Sequence, residues 1–143
     1  MKRIVIFASG SGSNAENIIS FFREKPEVTV AAVLTNKQTA TVLDRCERLN
    51  VPAFYFNKTA FRDSDAVVHL LQGLNIDLIV LAGFLWKIPS NLIEAFPGKI
   101  INIHPALLPK YGGKGMYGDR VHQAVKENKE PETGITIHYV NEK

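Results

Sequence analysis

The sequence contains one cysteine, Cys46, and no apolar run near the roughly 18 residues of a membrane-spanning helix. A single cysteine excludes a disulfide framework and a zinc site built from several cysteines. Excess charge is also small: 17 Lys and Arg face 14 Asp and Glu, a net charge of +3. Such a balance suits a small anionic substrate and gives little support for a nucleic-acid partner. We expect a soluble cytoplasmic protein with neither a nucleic-acid nor a membrane partner.

What is present is a regular alternation of strand-like and helix-like segments. The 143 residues suit a single domain with one hydrophobic core. Strands are predicted at 3–8, 28–34, 53–56, 78–82, 99–104 and 134–140, and helices at 14–24, 39–49, 63–74, 90–96 and 119–127. This order predicts a doubly wound, mostly parallel, Rossmann-like α/β sheet. Ligands of such sheets bind beyond the carboxyl ends of the strands, near the point where the strand order reverses.

The first candidate site is the glycine-rich turn that follows the first strand. Gly10-Ser-Gly-Ser-Asn-Ala15 matches G-x-G-x-x-A between a strand and a helix. Such a turn exposes helix N-terminal N–H groups to an anion, although Ser13 and Asn14 would also serve as plain helix caps. A dinucleotide would require an acidic residue near the end of the second strand, where Thr35-Asn-Lys37 stands. A monophosphate therefore fits better than NAD.

Two further candidate sites follow later strands. Leu85-Trp-Lys-Ile88 comes after the central strand and includes the only tryptophan, which suits either core packing or an apolar slot for a flat ring. Asn102 and His104 are two residues apart on the fifth strand, so their side chains share one face. A histidine can move a proton near neutral pH, and a neighbouring amide can stabilise an oxyanion. This pair therefore favours acid–base and acyl-transfer chemistry.

The remaining titratable residues favour structural roles. Cys46 is expected to face the core of the second helix, and His69 lies among apolar residues of the third. The four histidines have unrelated spacings without an i, i+4 pair, so no metal site is expected.

Three stretches together resemble one known family. Ser9-Gly-Ser-Gly-Ser-Asn14, Leu81-Ala-Gly-Phe84 and above all Ile101-Asn-Ile-His-Pro-Ala-Leu-Leu-Pro109 resemble the folate-dependent formyltransferases, specifically the phosphoribosylglycinamide formyltransferase family of purine biosynthesis. The resemblance runs in order from Arg3 to Val140. It implies the formyltransferase fold, glycinamide ribonucleotide as substrate and 10-formyltetrahydrofolate as co-substrate, without a metal.

The resemblance also implies roles for individual residues. The substrate phosphate would be held by Gly12, Ser13 and Asn14. His104 and Asn102 would be the catalytic residues. The folate would be bound by Leu85, Trp86, Lys87, Ile88, Asn102 and Arg62. Protonated His104 and the Asn102 amide would stabilise the tetrahedral oxyanion formed when the glycyl amine attacks the formyl carbon.

The chain departs from the family pattern after its last predicted strand. The family places an Asp there that raises the pKa of the catalytic histidine, whereas this sequence ends at Lys143, and Glu142 is out of register for that role. We therefore expect residues 1–143 to form a single formyltransferase-like domain truncated at its C-terminus, with activity that is weakened by the missing Asp. The loop at 111–118 is longer than in many relatives.

Other functions stay open at this point. The shared motif also suits methionyl-tRNA formyltransferase and formyltetrahydrofolate hydrolase, although the first has an added RNA-binding domain and the second a preceding regulatory domain. From other classes, the turn would suit an NAD-dependent oxidoreductase or a non-catalytic phosphate- or nucleotide-binding module.

Overall fold

A computed structural model of the chain describes residues 2–104 and 136–139. The strands are β1 (Lys2–Phe7), β2 (Val28–Thr35), β3 (Ala53–Tyr55), β4 (Leu78–Ala82), β5 (Ile100–His104) and β6 (Thr136–Tyr139). The helices are α1 (Ser13–Phe22), α2 (Thr41–Leu49), α3 (Ala66–Gly73) and α4 (Ser90–Ala95), with a π-helical turn at Thr59–Asp63. The predicted loop at 111–118 and helix at 119–127 lie outside the described residues.

The strands form one six-stranded sheet in the order β3-β2-β1-β4-β5-β6. The first five pair in parallel, and β6 pairs antiparallel with β5. The strand order reverses between β1 and β4, which confirms the doubly wound, mostly parallel α/β fold that the sequence predicts.

Each face of the sheet carries its own apolar core. Along β1 the buried side chains alternate, with Ile4 and Ile6 on the face covered by α1 and α2, and Val5 and Phe7 on the face covered by α3 and α4. All five residues of β4 are buried, as its continuous apolar sequence predicts for a central parallel strand. Because helices cover both faces of the sheet, the ends of its strands, and not its faces, are open to solvent.

The third helix is the clearest difference from the sequence-based prediction. The prediction of a helix over 63–74 is wrong at its start, because α3 begins at Ala66 and a separate π-helical turn precedes it. Ser64 adopts an extended conformation (φ −150°, ψ 174°), and its hydroxyl accepts a hydrogen bond from the Ala66 N–H at 3.3 Å. Serine side chains compete with the helix for backbone groups in this way, so the helix breaks there. Arg62 consequently lies in the π-helical turn and not in α3.

Candidate functional site

A small cleft of ≈ 90 Å³ lies at the point where the strand order reverses. It is lined by the glycine-rich turn, Gly10 to Asn14, together with Ala82 and Gly83 at the end of β4. This is the position that parallel α/β sheets use for ligands. A cleft of this volume suits a group of phosphate size.

The glycine-rich turn leads directly into the N-terminus of α1. Gly12 is the N-cap residue with a left-handed conformation (φ 80°, ψ 17°), and its carbonyl accepts the first helical hydrogen bond from the Glu16 N–H at 2.8 Å. Ser13 and Asn14 are therefore first-turn residues, and no side chain in the described part of the chain caps this helix. The N–H groups of the first turn are thus available to an anion, as the phosphate prediction requires.

Gly12 is also required by its contact with α2. A Cβ atom built on Gly12 would lie 2.6 Å from Val42 Cβ and closer still to Val42 Cγ2. The neighbouring Gly10 has open space around it, and its carbonyl accepts a hydrogen bond from the Val42 N–H at 3.2 Å. The glycine-rich turn is consequently held against the start of α2.

Two arginines of α2 lie beside the turn and the first turn of α1. Arg45 Nε donates to the Ser11 carbonyl at 2.6 Å, and Arg45 Nη1 and Arg48 Nη2 contact Glu16 Oε1 at 2.5 and 2.8 Å. The hydrogen bonds from Arg48 and Arg45 lower the pKa of Glu16, so this carboxylate in the first turn of α1 is charged at neutral pH. Two guanidinium groups against one carboxylate give this group a net charge of +1, which favours an anion at the helix N-terminus.

Sequence reasoning did not identify Ser9 and Asn36 as part of the site. Both are buried, and Ser9 Oγ lies 2.7 Å from Asn36 Oδ1. The Leu85 N–H donates to Ser9 Oγ at 2.9 Å, and the Ser9 N–H donates to the Gly83 carbonyl at 3.1 Å. The signal that could have found them is their position, because each lies within two residues of the carboxyl end of a parallel strand.

The four residues predicted to bind the folate ring differ in exposure. Leu85 is 71% exposed beside the cleft, and Lys87 is also exposed. Trp86 is half-buried, and Ile88 is buried in the core between the sheet and α3 and α4. The side chain of Ile88 therefore cannot face a ligand, although its backbone could. Leu85, in contrast, offers an exposed apolar side chain to a ligand.

Trp86 packs against a group of phenylalanines on the α3 and α4 side of the sheet. Its ring centroid lies 6.0 Å from Phe56, 5.8 Å from Phe61 and 6.5 Å from Phe84. Lys58 Nζ lies 5.8 Å from the indole centroid. Core packing, one of the two interpretations of this stretch, thus accounts for the buried part of the tryptophan.

The structure brings Asn102 to the same end of the sheet. Asn102 is half-buried on β5 and stands in register with Leu81 of β4 and with His138 of β6. His104 is the last residue of β5, in register with Thr136. The sequence did not predict that His138 would stand opposite Asn102, since strand pairing is not readable from either segment alone.

The remaining candidates lie elsewhere. Arg62 is exposed on the π-helical turn and is not among the residues that line the cleft. His69 is exposed on α3. Cys46 is buried in the core beneath α2, as predicted, and burial raises the pKa of its thiol to about 11. Within residues 2–104 and 136–139, no group of three His, Cys, Asp or Glu residues could hold a metal ion, and no helix is long and apolar enough to cross a membrane.

The comparisons with known proteins agree on one family. The family model described as "Formyl transferase" matches residues 2–143. The phosphoribosylglycinamide formyltransferase of Bacillus subtilis is 38% identical over 99% of this chain, which covers 73% of that protein. The chloroplastic phosphoribosylglycinamide formyltransferase of Arabidopsis thaliana is 39% identical over 99% of this chain, which spans 50% of that protein.

Solved structures give the same result. The glycinamide ribonucleotide transformylase 1 of Geobacillus kaustophilus superposes with a TM-score of 0.74 at 39% identity, over 100% of this chain and 76% of that one. The phosphoribosylglycinamide formyltransferase of Streptococcus pneumoniae superposes with a TM-score of 0.72 at 34% identity. The chain thus spans from half to about three-quarters of the length of these relatives.

Proposed function

Because the chain belongs to the phosphoribosylglycinamide formyltransferase family of folate-dependent one-carbon transferases in purine biosynthesis, we propose that it transfers the formyl group of 10-formyltetrahydrofolate to the amine of glycinamide ribonucleotide. The observation that carries this proposal is the cleft between the glycine-rich turn and the end of β4. A phosphate held there would place the rest of the substrate along the carboxyl ends of β4 and β5.

The phosphate role of Gly12, Ser13 and Asn14 is supported by the N-terminus of α1, which no side chain among the described residues caps. The left-handed Gly12 lets the backbone turn so that the first-turn N–H groups are available to an anion. Arg45 and Arg48 outweigh the charge of Glu16 and add a favourable potential. We infer that the phosphate is held by backbone N–H groups with long-range help from these arginines.

The donor would lie against the segment from Leu85 to Ile88. An exposed apolar side chain at Leu85, next to backbone polar groups, suits a flat ring with a hydrogen-bonding edge. Trp86 would support this surface from below through the phenylalanines, and Lys87 would remain at its rim. The exposed Arg62 is assigned to the far end of the donor, where a guanidinium could pair with a carboxylate.

The chemistry is assigned to Asn102 and His104. The amine nitrogen bonds to the formyl carbon while the carbonyl π pair moves onto oxygen. That pair then re-forms the carbonyl as the bond to the donor nitrogen breaks, while the attacking nitrogen gives up a proton and the donor nitrogen takes one up. Asn102 donates its amide N–H to the developing oxyanion, and protonated His104 stabilises the same charge before it relays the proton. Direct transfer requires neither a metal nor a covalent enzyme intermediate.

A formyl-transfer assay with both substrates tests these assignments. We expect His104→Ala and Asn102→Ala each to lower kcat by about 100-fold or more, the usual effect of removing an acid–base or oxyanion group. His69→Ala is the matched control, since His69 is exposed on α3, and its kcat should stay within about twofold of the unchanged chain.

Three results would overturn the proposal. Wild-type kcat in His104→Ala would remove the catalytic assignment. Release of formate without dependence on glycinamide ribonucleotide would indicate a hydrolase. Phosphate binding without any transfer would indicate a non-catalytic module. The cytoplasmic location also remains a prediction, which cell fractionation would check.

A further inference from the structure

Ser9 lies where the two halves of the site meet. It lies two residues beyond the end of β1 and directly before the glycine-rich turn, and only 1% of its surface is exposed. Its backbone N–H donates to the Gly83 carbonyl, and its hydroxyl contacts both the Leu85 N–H and Asn36 Oδ1. One residue thus joins the ends of β1, β2 and β4.

The direction of these hydrogen bonds follows from their chemistry. A backbone N–H can only donate, so the Leu85 N–H donates to Ser9 Oγ and the hydroxyl hydrogen of Ser9 remains to be donated. Asn36 Oδ1, at 2.7 Å, accepts it. The two bonds form a directed chain from Leu85 through Ser9 to Asn36, in which each bond polarises the next.

Leu85 has a backbone held by a hydrogen bond to Ser9 and an apolar side chain that is exposed. The Leu85 side chain is 71% exposed, so packing of that side chain does little to hold this part of the backbone in place. Its N–H is instead fixed by a hydroxyl belonging to the residue next to the phosphate turn. The position of the Leu85 backbone therefore depends on Ser9 more than on its own side chain.

We propose that Ser9 is a positioning residue, which holds the Leu85 segment against the start of the phosphate turn through its hydroxyl and so couples the donor side of the site to the phosphate side. This inference rests on the proposed function, in that the Leu85 segment binds the formyl donor. Ser9 itself is buried and would touch neither substrate.

Steady-state kinetics of Ser9→Ala test the coupling. The substitution removes both side-chain hydrogen bonds and leaves the backbone bond to Gly83 intact. We expect the KM for 10-formyltetrahydrofolate to rise about fivefold to tenfold, the effect of losing one to two net hydrogen bonds, while kcat stays within about twofold. Ser20→Ala, the same chemical change at an exposed position of α1, should leave both constants unchanged.

A double-mutant cycle separates the hydrogen-bonded chain from general packing. If Ser9 and Asn36 act as one unit, Asn36→Ala should raise the same KM, and the double substitution should raise it by less than the product of the two single effects. Independent effects that multiply, or a fall in kcat with an unchanged KM, would overturn the positioning role.

Amide hydrogen exchange tests Ser9 without any assay of activity. In the unchanged chain, inorganic phosphate should slow exchange at Leu85, and in Ser9→Ala exchange at Leu85 should be faster and insensitive to phosphate. Equal exchange at Leu85 in the two proteins would overturn the inference. Absence of formyl transfer by the unchanged chain, with the exchange results as expected, would remove the proposed function and leave the coupling by Ser9 in place.

Discussion

Replacing Gly12 with alanine should destabilise the protein strongly, whereas replacing Gly10, two residues earlier in the same turn, should not. Gly12 has φ of 80°, and a Cβ there would lie 2.6 Å from Val42 Cβ. Gly10 has neither problem, because its φ is outside the left-handed region and nothing lies within 4 Å of the added atom. Both substitutions add one methyl group, so any difference in stability between them reports the local geometry at Gly12 and not the chemical change.

The size of the Gly12→Ala effect follows from three contributions. A left-handed conformation costs an alanine about 1–2 kcal/mol, and forcing a methyl group into a filled space costs about 1–3 kcal/mol. Alanine lowers the entropy of the unfolded chain, which offsets about 0.4–1 kcal/mol. The free energy of unfolding should fall by about 2–4 kcal/mol, and Tm by about 6–12 °C for a chain of this size.

Urea and thermal unfolding monitored by circular dichroism would measure both variants. Gly10→Ala should lie within about 0.5 kcal/mol of the unchanged protein. In Gly12→Ala/Val42→Ala, removal of the Val42 Cγ atoms should relieve part of the contact, so the two substitutions together should cost less than the sum of their separate effects. A Gly12→Ala protein as stable as the unchanged one, or equal losses at Gly10 and Gly12, would refute the assignment of strain to this turn.

Three further predictions concern the surroundings of the site. Glu16→Gln should lower the free energy of unfolding at neutral pH and have no effect well below the native pKa of Glu16, because a lowered carboxyl pKa stabilises the fold above the unfolded pKa and this contribution is lost as the pH falls. Adding 0.5 M NaCl should shrink the difference between the two proteins, since salt screens ion pairs. A loss of stability that does not depend on pH would contradict the ion pairs of Glu16 with Arg45 and Arg48. Cys46, whose thiol pKa is raised from 9.0 to about 11, should make stability fall as the pH rises from about 9 to 11, and denaturation curves of Cys46→Ala should lack that slope. Phe61→Ala should cost about 3–5 kcal/mol of unfolding free energy and shift tryptophan emission to longer wavelength; unchanged urea curves would contradict its placement in the core.

The sequence by itself determined the elements whose signal is local. The bounds of β4 are those predicted, because the continuous apolar run between Asp77 and Gly83 specifies a strand buried on both faces. The second helix ends before Asn50 as predicted, since asparagine accepts the left-handed conformation that stops it (φ 59°). The strand–turn–helix at Gly12 was equally readable, since its glycines and its flanking periodicities are adjacent in the chain.

The tertiary structure decided everything that depends on residues far apart in sequence. The contact of Ser9 with Asn36 spans 27 residues and that with Leu85 spans 76, and it exists only because β1 pairs with both β2 and β4. Neither the clash that reserves Gly12 for glycine nor the register of Asn102 with His138 is visible in a local pattern. Periodicity reports which face of an element is apolar, but not which element will cover it. The sequence could therefore place candidate groups at strand ends, and only the packed sheet could bring them together as a site.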